Sequence, residues 1–96
     1  MDKKILCVCR SGYNRSVETK KELNRRGYQD VLDVGGLIVS KDTLNMLCEW
    51  ADIILLAKPI HGKNIKEEYQ KKIKTDFFMG DDLIITAKKQ LDNIGL

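Results

Sequence analysis

Residues 5–16 read ILCVCRSGYNRS: four apolar residues, Ile5 to Val8, run without a polar break into Cys9, and a helical pattern begins only at Ser16. A short continuous apolar run entered from Lys3 and Lys4 is what a strand buried on both faces of a parallel sheet requires. From Ser16, Val17 and Leu23 mark one helix face, with the stem of Lys20 or Lys21 between them, while Glu18, Lys21, Glu22 and Arg25 are free to face water. Gly27 supplies a helix stop. The chain therefore opens as strand, loop, helix.

Working outward, Val31 to Val34 reads as a second strand closed by Gly35 and Gly36. Ser40 can then cap a helix that carries Leu44, Leu47 and Cys48 at helical spacing, with Trp50 packing at its end. Asp52 to Ala57, DIILLA, is the clearest strand, and Pro59 sits where a helix over Ile60 to Lys71 could begin, although Gly62 weakens it. Lys72 to Phe78 reads as a fourth strand leading to a turn at Gly80, Asp81 and Asp82, and Leu83 to Ile94 as a last amphipathic helix. The order βαβαβαβα predicts an α/β fold of three layers: a four-stranded parallel sheet, order 2-1-3-4, with helices on both faces and right-handed crossovers. Ligands in such sheets bind at the carboxyl ends of the strands, where Cys9 lies.

At 96 residues the chain is expected to be one domain, 1–96, with no room for a separate substrate domain. Hydrophobic residues at 43% and a single proline exclude a disordered composition. A net charge of +3 suits an anionic ligand without implying nucleic acid, and the basic stretches at Lys20 to Arg26 and Lys63 to Lys74 read as solvated helix faces. There is no apolar run of the ~18 residues that a membrane span needs, and no cleavage site follows Lys3 and Lys4, so a cytoplasmic protein without a membrane partner is expected. Three cysteines, with Cys7 and Cys9 in a C-x-C that fits neither zinc nor common redox spacing, suggest free thiols and neither metal nor cofactor. Cys48 reads as core and His61, the sole histidine, as a surface residue.

The loop Cys9 to Ser16, CRSGYNRS, has five residues between its cysteine and its arginine, a C-x5-R-S pattern. A loop whose backbone N–H groups turn inward and which ends on a helix N-terminus forms a cradle for a dianion, and Gly12 eases the conformations this needs. The phosphate-binding set is then Cys9, Arg10, Ser11, Gly12, Tyr13, Asn14 and Arg15. The same dipoles favour a thiolate at Cys9, a nucleophile that needs no histidine. Arg15 offers a planar fork for two phosphate oxygens, which should tighten as charge spreads in the transition state. Ser16 can donate to the sulfur or cap the helix. The competing interpretation is an inert buried Cys9 with Arg15 as a surface charge; the position of the motif at a strand-to-helix junction weighs against it.

On these residues the chain resembles the low-molecular-weight protein tyrosine phosphatases, and more so a shortened bacterial and phage-type version of that family. The likeness covers the N-terminal third, continues through WADIILL at Trp50 to Leu56, and fades afterwards. It implies that Cys9, Arg15 and Ser16 are catalytic. Two features depart from the family: its usual loop asparagine is Gly12 here, and its second loop cysteine, which can protect the nucleophile as a disulfide, is Asn14. The loop also fits the C-x2-G-x2-R-S of classical and dual-specificity phosphatases, whose loop falls late in the chain.

The resemblance further implies a carboxylic acid near the rim that protonates the leaving oxygen and then activates water; in the family it lies in a D-P-F-like segment after the last strand. Asp76, in TDFF, holds the matching place without the proline, and Asp81 and Asp82 compete as acids or as helix caps. Phe77 and Phe78, with Arg10 and Tyr13, are candidate rim residues for substrate, although adjacent aromatics are more often core. The expected activity is hydrolysis of phosphate monoesters, of phosphotyrosine type, through a phosphocysteine, acting on a phosphorylated protein or small ester as a monomer and releasing inorganic phosphate. A small polyanionic metabolite such as an inositol phosphate is the alternative substrate. Arsenate reduction would want a relay of further cysteines. A phosphocysteine carrier like the IIB subunits of sugar phosphotransferase systems would lack Arg15, and a pure phosphate-binding module would leave the cysteine incidental.

Overall fold

Alternate residues of the first strand point to opposite sides of a sheet, and two separate cores follow from that alternation. In the computed structural model, which describes residues 3–9, 15–57, 59–74 and 83–96, β1 (Ile5–Cys9) is buried throughout. It lies between β2 (Val31–Gly35) and β3 (Ile53–Leu56) in a parallel sheet of order β2-β1-β3. Ile5 registers with Val31 and Ile53, and Cys7 with Asp33 and Leu55, so these residues share one face.

The helices of the described residues are α1 (Arg15–Arg25), α2 (Lys41–Trp50) and α3 (Leu83–Asn93). Leu23 of α1 and Leu91 of α3 pack on the face made by Ile5, Cys7, Val31, Ile53 and Leu55. Leu44 and Cys48 of α2, with Ile65, pack on the opposite face of Leu6, Val8, Val34, Ile54 and Leu56. The chain is thus an α/β fold with a parallel sheet covered on both sides, as the alternation of elements predicts. Trp50 is half-buried against the α2 core, as expected of its place at the helix end.

The helix ends are set by local chemistry. Ser40 accepts a hydrogen bond from the Thr43 amide at 3.1 Å and caps α2. Gly27, at φ +100°, ends α1 with the Tyr28 amide donating to Leu23 O and the Gly27 amide to Asn24 O, the paired bonds of a Schellman motif. Gly95 ends α3 with the same pair, from Leu96 to Leu91 and from Gly95 to Asp92.

Glu22 departs from its expected wet position: it is 8% exposed. The buried face of α1 is Ser16, Thr19, Glu22 and Leu23, a largely polar stripe that apolar periodicity does not register. Glu22 accepts from Arg26 Nε at 2.9 Å and from Arg25, and Arg26 reaches Asp92 of α3 at 2.9 Å. The Arg26 hydrogen bond, with the charges of Arg25, Arg26 and Lys88 behind it, holds the Glu22 carboxyl below its ordinary value of 4.5. A carboxyl lowered on folding contributes stability above its unfolded pKa and loses it as pH falls through the folded one. Thermal melts should therefore show Glu22→Gln less stable than the parent at pH 7, with the gap closing progressively below about pH 4.5; a gap independent of pH would refute the ion-pair account.

Two expected elements differ. The segment from Ile60 to Lys71 is not one α-helix but two 3-10 turns, Pro59–Gly62 and Glu67–Lys72. The interruption is held from outside: Asn45 of α2 donates Nδ2 to Asn64 O at 3.1 Å and accepts the Lys66 amide at 2.8 Å, replacing bonds a helix would make itself. Gly62 is also pressed against Leu56, where a Cβ would meet Cδ1 at 2.8 Å. The four-stranded order 2-1-3-4 is not seen among the described residues: in place of a fourth strand, Ile73 makes one parallel bridge to Ile54, with the Lys74 amide donating to Ile54 O at 2.9 Å. Lys72, the expected first strand residue, ends a 3-10 turn, and its ammonium caps the carbonyls of Cys48 and Glu49 at the end of α2. Residues 75–78 of the expected strand lie outside those described. Among the described residues no helix is long and apolar enough to cross a membrane.

Candidate functional site

Odd-numbered positions of β1 face α1, so the alternation that buries Ile5 and Cys7 against Leu23 also aims Cys9 at the start of that helix. There Cys9 Sγ lies 3.0 Å from Ser16 Oγ in a buried pair in which either atom can donate. Cys9 is 4% and Ser16 2% exposed. Ser16 is the second residue of α1, so the pair also sits at the positive end of an 11-residue helix.

The strand ends around this pair are tied together. The Gly36 amide donates to Cys9 O at 2.7 Å, and the Ala57 amide to Val8 O at 2.9 Å. Gly36 has no space for a side chain: a Cβ would stand 2.6 Å from both His61 O and Val8 Cγ1. The turn Pro59–Gly62 therefore abuts the carboxyl ends of β1 and β2. His61, expected at the surface, is 6% exposed; its turn is folded over those strand ends instead of starting a solvated helix.

Behind the Cys9–Ser16 pair, Cys7, Ser16, Thr19, Leu55 and Gln90 close on a crevice too small for a water. Gln90 of α3, 1% exposed, donates Nε2 to Leu56 O at 3.0 Å and so fixes the end of β3 from the helix side. Thr19 and Gln90 were not singled out by sequence reasoning; the signal available was Thr19 three residues after Ser16, on the same helix face.

The three thiols are free. Burial, with Asp33 adding to it, pushes the Cys7 thiol far above its usual range. Burial also pushes Cys48 up to about 11, with Lys72 opposing. Cys7 and Cys48 should therefore be inert near neutral pH. Iodoacetamide at pH 7 is expected to add one group to the native protein, at Cys9, and three after denaturation, read by intact mass and peptide mapping; a native adduct at Cys7 or Cys48 would contradict this assignment.

Among the sequence candidates, Cys9 and Ser16 are brought together. Arg15 is described as the first residue of α1, its backbone adjoining the pair. Arg10, Ser11, Gly12, Tyr13 and Asn14 lie outside the described residues, as do Asp76, Phe77, Phe78, Asp81 and Asp82. Among the described residues no group of three or more His, Cys, Asp or Glu side chains is placed to hold a metal ion. No protein-family model matches the chain, and neither a curated protein nor a solved structure matches it.

Proposed function

We propose that the chain hydrolyses phosphate monoesters through a phosphocysteine at Cys9, as a shortened relative of the low-molecular-weight protein tyrosine phosphatases. The observation that supports this most is the 3.0 Å contact between Cys9 Sγ and Ser16 Oγ. It joins the first and last residues of the C-x5-R-S motif at the end of a parallel strand and the start of a helix, where an anion is favoured. Six residues connecting two groups in contact close a ring, the topology that a backbone cradle needs.

In the proposed reaction the Cys9 thiolate attacks phosphorus, the bond to the leaving oxygen breaks, and that oxygen takes a proton from the Asp76 carboxyl. Water then attacks the phosphocysteine, giving its proton to the Asp76 carboxylate, and the S–P bond breaks to release inorganic phosphate. Ser16, whose hydroxyl must be the donor once sulfur is a thiolate, stabilises sulfur as attacker and as leaving group. Arg15 would hold two equatorial oxygens of the transferring phosphoryl group. Within the same proposal the bridge at Ile73 begins a fourth strand beside β3, which would carry the chain to Asp76 at the carboxyl end of the sheet.

Phosphate release from p-nitrophenyl phosphate in the presence of a chelator tests this directly, and release no faster than in buffer alone would end it. Asp76→Asn should then lower kcat about 100-fold with KM nearly unchanged, while Asp81→Asn leaves kcat within about threefold. The opposite ranking would move the acid to Asp81.

A further inference from the structure

The exposed large hydrophobics among the described residues include two that flank the candidate site. Ile38, 62% exposed, follows Gly36 by two residues, and Ile60, 56% exposed, immediately precedes His61. Gly36 and His61 are the residues whose backbones meet above β1, and the Gly36 amide is bonded to Cys9 O. The Ile38 amide is bonded back to Gly35 O at 3.3 Å, and Gly35 is the register partner of Cys9. Two isoleucines are thus carried to the carboxyl edge of the sheet by the two segments that close over it, one from the exit of β2 and one from the turn after β3.

Neither side chain belongs to either core. Their apolar character is therefore not explained by folding, since a polar residue at either place would leave both cores intact. Single exposed hydrophobics are ordinary on a protein surface. What distinguishes this pair is its place beside a buried thiol, on backbone segments in mutual contact.

We propose that Ile38 and Ile60 are specificity-determining residues that contact an apolar part of the leaving group, so that the substrate presents its phosphate on an apolar scaffold and not on a polyanionic one. This rests on the phosphatase activity proposed above. A leaving group bearing further phosphates would set charge against two isoleucines and leave it without partners there. An extended aryl or aliphatic group would remove both side chains from water on binding.

The test compares kcat/KM for phenyl phosphate and 2-naphthyl phosphate, whose leaving oxygens are similar in acidity, so that their ratio reports contact beyond the first ring. The wild type should prefer the naphthyl ester. Ile38→Ser and Ile60→Ser should each lower that preference about threefold to fivefold, and the double variant about tenfold or more, with kcat/KM for phenyl phosphate and the inhibition constant of inorganic phosphate changed less than twofold. Met46→Ser serves as control: Met46 is 66% exposed but lines a separate groove on α2 with Asp42 and Glu49, and its loss should leave the ratio unchanged. A ratio unaltered in the double variant, or faster turnover of an inositol polyphosphate than of either aryl ester, overturns the rim assignment while leaving the hydrolase intact. Absence of Cys9-dependent release from every ester ends both.

Discussion

Replacing Cys9 by serine is expected to lower phosphate release from p-nitrophenyl phosphate at least about ten-thousand-fold, because the attacking atom changes from a thiolate to a hydroxyl with no base beside it. The fold should survive. The replacement is nearly isosteric, and the new hydroxyl inherits the Ser16 Oγ partner that Cys9 Sγ has at 3.0 Å. Melting should therefore change by no more than about 1 kcal/mol in stability, and phosphate should still protect the protein against heat, since the ring that would bind it is untouched. Cys7→Ala and Cys48→Ala supply the contrast. Both cysteines are buried core members, so their loss should cost stability and leave turnover within about threefold. Arg15→Lys should keep a positive charge yet lose about 100-fold or more, because an ammonium cannot span two equatorial oxygens. Full activity in Cys9→Ser would remove sulfur from the chemistry altogether.

The division between what could be read from residues and what could not follows physical lines. β1, β2 and β3 were legible because strands buried on both faces must be apolar throughout, as Ile5 to Val8 and Ile53 to Leu56 are. Gly27 and Ser40 were legible because helix ends are decided by one or two local residues. The segment after β3 was not. Its helical propensity is overridden by Asn45, a residue of α2 that takes over the backbone bonds at Asn64 and Lys66 from about twenty positions away. Glu22, Thr19 and Gln90 escaped notice for a related reason: their burial is decided by helix packing and ion pairing across α1 and α3, and no apolar period marks it. For the site, the motif spacing placed Cys9 and Ser16 at a strand-to-helix junction, and β1 alternation with the α1 start brings them together. His61 was misjudged because nothing in its neighbours reveals that its turn folds onto Gly36.

That contact makes Gly36 the position where fold and site are most tightly joined, and Gly36→Ala is expected to be the costliest small substitution outside the core side chains. A methyl group there would lie 2.6 Å from the His61 carbonyl oxygen and 2.6 Å from Val8 Cγ1. Neither neighbour can yield cheaply. The first is backbone, and Val8 is 1% exposed and β-branched, with its rotamer fixed by the core around it. Relief must come from moving the Pro59–Gly62 turn or the Gly36 peptide, and the Gly36 amide is bonded to Cys9 O at 2.7 Å. The loss should be about 2–3 kcal/mol, read as a fall of roughly 10–20 °C in Tm, and turnover should fall about tenfold at temperatures where the variant remains folded, because the carbonyl of the nucleophile is displaced with the turn. Gly27→Ala separates strain from collision. Gly27 has φ +100° with nothing within 4 Å of a Cβ, so only the left-handed backbone opposes the change, at about 1–2 kcal/mol. Lying at the far end of α1, it should leave turnover unchanged. If both alanine variants lost stability alike and neither lost activity, the turn at His61 would have no hold on Cys9, and the coupling between the strand ends would be structural alone.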